Sequence, residues 1–265
     1  MLRLLSAALT AAAIAVPLAA QQATASAGNT FDWSGEIPAG NWIRVRDLNG
    51  SISVEPGTGN TVQVHGEKQW RRGDPSRVRF EVYKGSDGVT VCALWNEDDT
   101  CDENGMHSHG DHHTRDGDDV SVHFTVHLPA GVKVDAGTVN GSLDVQGARA
   151  EVVATTVNGR IDAATTQGPV RAETVNGSIN VRMDSLPGSG DLDYSTVNGS
   201  VTAMLPASLS AVLDMETVNG SISSDFPLTV SGKLSPRHIR ATIGSGGREV
   251  RLHTVNGSVE LRKLD

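Results

Sequence analysis

Thr138-Val139-Asn140-Gly141, Thr156-Val157-Asn158-Gly159 and Thr174-Val175-Asn176-Gly177 open a series that continues at Thr196–Gly199, Thr217–Gly220 and Thr254–Gly257. Self-similarity at a short period means that one structural unit is laid on the next, so the repeat decides architecture before any other residue is read. A degenerate seventh copy, Asp47-Leu48-Asn49-Gly50, stands far upstream. The repeat corners are therefore Asn49, Asn140, Asn158, Asn176, Asn198, Asn219 and Asn256. From Asn140 onward they are separated by 18, 18, 22, 21 and 37 residues, and the last gap is expected to hide an irregular turn.

Aligning the copies on Asn gives three apolar columns. Three positions after it stand Ile52, Leu143, Ile161, Ile179, Val201, Ile222 and Val259. Six before it stand Ile43, Val134, Val152, Val170, Leu192, Leu213 and Val250, and four before it Val45, Ala136, Ala154, Ala172, Tyr194, Met215 and Leu252. Polar residues alternate with these, so each repeat reads as two short strands with one buried face each, joined at a Gly-containing corner. Ile179 and Val175 are both expected inside the stack, where an Asp would unfold it.

Two folds fit the pattern. Asn-Gly favours a type I′ hairpin turn, which allows tandem hairpins. A solenoid instead stacks each repeat in parallel on the last, about 4.8 Å apart. The solenoid also explains the repeated identity of the corner residues, because Asn above Asn can pass amide hydrogen bonds along the column. A second corner at Thr166-Gln167-Gly168-Pro169 would make a flattened, two-cornered rung. The expected fold is all-β, a parallel β-solenoid or β-helix of about six coils with an N-terminal antiparallel β cap.

The Thr-Val-Asn-Gly-Ser-Ile type motifs and the lead-in Val126-His127-Leu128-Pro129-Ala130-Gly131-Val132 resemble a bacterial "putative adhesin" family with β-strand repeats, a domain of unknown function. The resemblance spans about residues 40–265. It implies a β-solenoid exported to the cell envelope, with no defined ligand and no catalytic residues.

Met1, Leu2 and Arg3 lead into an apolar run from Leu4 to Ala20, followed by the small-residue sites Ala23-Thr24-Ala25 and Ala25-Ser26-Ala27. This reads as a secretory signal over 1–27. The run is short for a membrane span and is broken by Pro17, and no later stretch is long enough to cross a bilayer, so no membrane insertion is expected after cleavage. Residues 28–127 read as the cap region, with strands at Trp42–Val45, Ser51–Val54, Thr61–His65, Val78–Tyr83, Val89–Leu94 and Val120–Val126. Residues 128–265 read as the repeat domain. The product is expected to be secreted or periplasmic.

Lys and Arg number 22 against 31 Asp and Glu, a formal charge of −9, which argues against nucleic acid and anionic lipid as partners. Envelope or surface glycans or proteins are the expected partners. Aromatic residues make up only 4% of the chain, as suits a thin interior filled by aliphatic columns.

Three groups remain as chemical candidates. Cys92 and Cys101 are the only cysteines, and in an exported chain such a pair reads as a disulfide. Met106 to His113, with Asp116, Asp118 and Asp119 following, is rich in imidazole and carboxylate and could bind zinc, copper or nickel, although a flexible polar loop has the same composition. Asp144 and Asp162, just outside the buried column, would sit on adjacent rungs as a glycosidase pair would, or as ordinary solvated surface. No Gly-x-Ser-x-Gly elbow, His-Glu-x-x-His or phosphate-cradling loop occurs. No cofactor is expected, and the reading is an exported, non-enzymatic β-solenoid acting as an adhesive or structural envelope module.

Overall fold

A computed structural model describes residues 28–108, 119–230 and 235–264, together with the backbone of 23–24. The N-terminal part consists of β1 (Ala23–Thr24), β2 (Thr30–Glu36), β3 (Trp42–Arg46), β4 (Ile52–Pro56), β5 (Thr61–Gln69), β6 (Arg79–Lys84), β7 (Gly88–Leu94), β8 (Thr100–Asp102), β9 (Gly105–His107) and β10 (Ser121–Leu128). The repeats supply β11 (Lys133–Gly137), β12 (Leu143–Ala148), β13 (Val152–Thr155), β14 (Ile161–Thr165), β15 (Val170–Glu173), β16 (Ile179–Met183), β17 (Leu192–Asn198), β18 (Val201–Pro206), β19 (Ala211–Asn219) and β20 (Ile222–Ser224). The chain closes with β21 (Thr229–Val230), β22 (His238–Ile243), β23 (Arg248–Asn256) and β24 (Val259–Leu264). No helix among the described residues is long and apolar enough to cross a membrane.

Two 11-stranded sheets face each other, and successive repeats add one strand to each. The fold is a β-solenoid-like stack with parallel pairing between repeats: Leu143 lies beside Ile161, Ile161 beside Ile179, and Ile179 beside Val201. Tandem hairpins are ruled out by this pairing. They are ruled out again at the corners, because no residue other than Gly has positive φ among the described residues and a type I′ turn would require it at Asn. The Gly168 corner is present, with φ at +100°.

Spatial order departs from sequence order at both ends. Numbering the rungs along the stack, rung 1 is β7 with β10, rung 2 is β3 with β4, and rungs 3 to 6 are the pairs from β11/β12 to β17/β18. Rung 7 is the last in the chain, β23/β24, and rung 8 is the earlier β19/β20. The 37-residue gap is therefore more than an irregular turn. After rung 8 the chain lays β22 antiparallel outside β19, then doubles back to slot β23 between β17 and β19 and β24 between β18 and β20. At the other end, β3 and β4 are likewise held between rung 1 and rung 3.

The six full motif copies form rungs 3 to 8. The N-terminal region adds two more rungs besides its antiparallel cover, which is β2 and β5 on one sheet and β6 on the other. Sheet hydrogen bonding runs unbroken across residue 128. The three columns fill the interior: Ile43, Val134, Val152, Val170, Leu192, Val250 and Leu213 are each 0% exposed. Short covered ends suit a stack whose unpaired edges would otherwise template aggregation. The edge strand β20 has only three residues, which is a further defence of that kind.

Candidate functional site: the repeat edge

Each position of Thr-Val-Asn-Gly has a distinct physical setting. The Thr side chain points inward, and its hydroxyl donates to the Gly carbonyl of the preceding rung: Thr138 to Gly50 at 3.1 Å, Thr156 to Gly141 at 3.0 Å, Thr174 to Gly159 at 3.0 Å and Thr196 to Gly177 at 2.9 Å. Thr254 and Thr217 repeat the bond to Gly199 and Gly257 at 2.7 and 2.8 Å. The Gly residues let corner backbones touch. A Cβ on Gly159 would stand 1.8 Å from the Gly141 oxygen, and one on Gly177 would stand 1.9 Å from that of Gly159.

The Asn side chains form a ladder on the surface. Asn158 Nδ2 donates to Asn140 Oδ1 at 2.9 Å, Asn176 to Asn158 at 2.7 Å, and Asn198 to Asn176 at 2.8 Å. Asn256 and Asn219 extend it at 2.8 Å each, in the spatial order of the rungs. Asn49 donates instead to the Val120 carbonyl at 2.6 Å. A primary amide has two donor hydrogens and an oxygen with two lone pairs. Inside the ladder one of each is used, which leaves one N–H and one lone pair per rung for another molecule.

Val alone is not consumed by the stack. Val157, Val175, Val197, Val255 and Val218 are 38 to 48% exposed and stand one rung apart. The expectation that Val175 belongs to the interior is overturned. With Thr inward at two positions before Asn, period two turns the next residue outward. Ile179 is fully buried, as the column requires.

On the far side of the ladder lies a Ser column, Ser142, Ser178, Ser200, Ser258 and Ser221, broken by Arg160 in rung 4. The Ser258 amide donates to Ser200 Oγ at 3.1 Å, and the Ser221 and Ser258 hydroxyls meet at 3.1 Å. Val, Asn, Gly and Ser columns thus make a strip in which Arg160 is the single charged residue of rungs 3 to 8, in a chain that is 20% charged. With rungs about 4.8 Å apart, the strip is about 24 Å long.

The other candidates are placed as follows. Asp144 and Asp162 are register neighbours on rungs 3 and 4. Asp162 is already engaged by Arg160 Nε at 2.5 Å and by Asn180 Nδ2 at 2.8 Å, and Asp144 accepts from Gln146 at 2.8 Å. Cys92 and Cys101 form a disulfide with Cα atoms 6.0 Å apart, tying β7 to β8. Of the His-rich segment, His107 pairs with Asp102 at 2.9 Å, whereas residues 109–118 lie outside the described residues. Among the described residues no cluster of three or more metal-ligating side chains occurs.

Two features escaped the sequence reading. At the second corner of rungs 6 to 8, a cavity of about 330 Å³ is bordered by the nearly buried Arg248, Ser189, Ser208 and Ser210. The Arg248 guanidinium donates to the carbonyls of Gly190 at 2.9 Å, Leu186 at 3.1 Å and Gly188, fastening the 186–190 loop. In the seventh copy, Asp47 occupies the inward Thr position and is 2% exposed. Its alignment with Thr138 was the available signal.

Residues 109–262, more than half of the chain, match the family model described as Toastrack DUF4097. A comparison with curated proteins finds no match. Among solved structures the chain is similar to a "putative cell adhesion protein" from Clostridium sporogenes, at 9% identity and a TM-score of 0.38, with 88% of this chain and 99% of that one covered. It is similar to a "putative adhesin" from Bacteroides fragilis, also at 9% identity and a TM-score of 0.38, with 89% and 97% covered. The match over the repeats makes the family assignment: the chain belongs to the Toastrack DUF4097 family.

Proposed function

We propose that this protein is an exported, non-enzymatic binding module of the bacterial envelope, and that it holds an extended, uncharged glycan chain along the Thr-Val-Asn-Gly edge. The observation that carries this reading is the exposed Val column. Three of the four motif positions are explained by the stack itself, while five of the six motif valines are exposed, and Val139 is half-buried, beside an amide ladder with unused valences. Exposed aliphatic rows of this length mark contact surfaces.

Methyl groups, amides and hydroxyls without charge complement the C–H faces and hydroxyls of a sugar polymer better than they do an acidic polymer or a lipid headgroup. Each rung would contribute little, and affinity would come from many equivalent contacts on one chain. The leader-like segment 1–27 and the Cys92–Cys101 disulfide support an extracytoplasmic location. The engagement of Asp162 by Arg160 and Asn180 speaks for a surface role of that acid rather than a catalytic one.

The test is co-sedimentation of the purified protein with insoluble cellulose and chitin and with calcium alginate gel as an acidic control, comparing wild type with the Val175→Glu/Val197→Glu variant. Retention on a neutral polymer that drops at least tenfold in the variant, with an unchanged melting temperature, supports the reading. No retention on neutral polymers, or retention indifferent to the two substitutions, refutes it.

A further inference from the structure

Six copies of the motif place a Thr hydroxyl against the carbonyl of the preceding rung, and the seventh places Asp47 there. The geometry is the same. A methyl built on Gly220 would lie 1.8 Å from the Gly257 oxygen and 3.0 Å from Thr217 Oγ1, and that hydroxyl donates to that oxygen at 2.8 Å. A methyl built on Gly50 would lie 1.7 Å from the Val122 oxygen and 2.9 Å from Asp47 Oδ2. Asp47 Oδ2 therefore lies beside Gly50 as the Thr217 hydroxyl lies beside Gly220, near the Val122 carbonyl at the junction of rungs 1 and 2.

Two bare oxygens facing each other in a dry interior repel, whereas an acid O–H facing a carbonyl is a hydrogen bond. Asp47 Oδ1 accepts from the Leu48 amide at 2.8 Å, while Oδ2 is buried with no donor within bonding reach. The Trp95 indole N–H is the side-chain donor on that side, and it too is buried without a partner at bonding distance.

We propose that Asp47 is a proton-operated latch between rungs 1 and 2: as the neutral acid it donates to the Val122 carbonyl in place of the motif Thr, and on losing its proton it loosens that junction.

Among the described residues, no charged side chain faces the anion. On its own strand Arg46 is turned outward to Asp135 at 2.5 Å, which also accounts for the acid on β11. On β10 His123 Nδ1 meets Ser51 Oγ at 2.8 Å, and ahead of that strand Asp119 takes the Arg71 and Arg72 amides at 2.8 and 2.7 Å. In the loop after β7, Asp99 takes the Trp95 and Asn96 amides at 3.2 and 2.9 Å. Burial pushes the Asp47 carboxyl up from 3.8 to about 7, against smaller opposing effects from the Leu48 and Asn49 amides and the Trp95 indole.

The sign follows from linkage. The unfolded carboxyl ionises near 3.8 and the folded one near 7. Its favourable contribution is complete below pH 4, is lost as pH rises through 7, and is flat above that. Three pH units correspond to at most about a thousand-fold in the folding equilibrium.

The experiment compares wild type with Asp47→Thr, which restores the residue of the other copies. Melting temperature and site-resolved amide exchange, corrected for intrinsic rates, are measured at pH 5 and pH 8. Wild type should lose melting temperature and protection at the Val122 and Phe124 amides, which bond across the junction to Asn49 and Ser51, while Ile179 in mid-stack keeps its protection. Asp47→Thr should hold the Val122 and Phe124 protection at pH 8. Equal pH dependence in the two proteins overturns the proposal. So does a carboxyl ¹³C titration of wild type with a midpoint below about 5 for Asp47, a measurement that stands even if the variant fails to fold.

Discussion

Replacing Gly177 by Ala is the sharpest single test of the stacking geometry. The added carbon would lie 1.9 Å from the Gly159 carbonyl oxygen and 2.5 Å from its carbon, well inside the 3.0 Å that real Cβ atoms respect. Neither partner is a movable side chain, so rungs 4 and 5 must part by about 1 Å at the corner. Four hydrogen bonds of the motif residues cross that junction at the corner: Gly159 N to Asn176 O at 3.0 Å, Asn176 N to Val157 O at 2.7 Å, Thr174 Oγ1 to Gly159 O at 3.0 Å and Asn176 Nδ2 to Asn158 Oδ1 at 2.7 Å. Losing two or three at about 1 kcal/mol each, with residual strain, gives an expected cost of about 3–5 kcal/mol. Urea unfolding followed by far-ultraviolet circular dichroism measures it. Gly188→Ala is the control, because Gly188 has φ at +75° but nothing within 4 Å of a new Cβ, and should cost only about 1–2 kcal/mol of backbone strain. If Gly177→Ala costs no more than Gly188→Ala, the close backbone approach is wrong.

Ile179→Asp should destabilise by about 3–5 kcal/mol or prevent folding, whereas Val175→Asp, on the exposed column, should stay within about 1 kcal/mol of wild type in the same urea titration. Thr174→Val keeps the shape and removes the donor to the Gly159 carbonyl, and should cost about 1 kcal/mol or slightly more by the same assay. Reducing the Cys92–Cys101 disulfide, or replacing both residues by Ser, should cost about 2–3 kcal/mol for so short a loop, read as a fall in melting temperature. Asp144→Asn/Asp162→Asn should leave glycan retention unchanged, and release of reducing sugar by wild type but not by this variant would contradict a non-enzymatic role.

The architecture was legible because its determinants are local and repeated. Three columns of aliphatic residues at fixed offsets from Asn specified the buried faces, and Tyr194, the largest side chain in them, is buried as its column demands. Rung order was not legible, since the six copies are nearly interchangeable as stacking partners. Only the length of the gap before Asn256 hinted that the chain had somewhere else to go. Val175 was misplaced because its apolar character was weighed above its position: one residue from an inward Thr, it must point out. Asp47 was visible as a mismatch in the alignment, but its meaning required the carbonyl of Val122, 75 residues further along the chain and unmarked by the motif.

The insertion of both terminal rungs one place inside the stack bears on how the molecule carries load. A strand at a free edge can be unzipped one hydrogen bond at a time by a force on its end. β24 is instead clasped along Val201–Pro206 on one side and Ile222–Ser224 on the other, so tension applied at Leu264 must shear two ladders together. At the opposite end, tension at Trp42 loads β3 between β7 and β11 in the same way. Tension that reaches either strand therefore meets two ladders at once rather than one bond at a time.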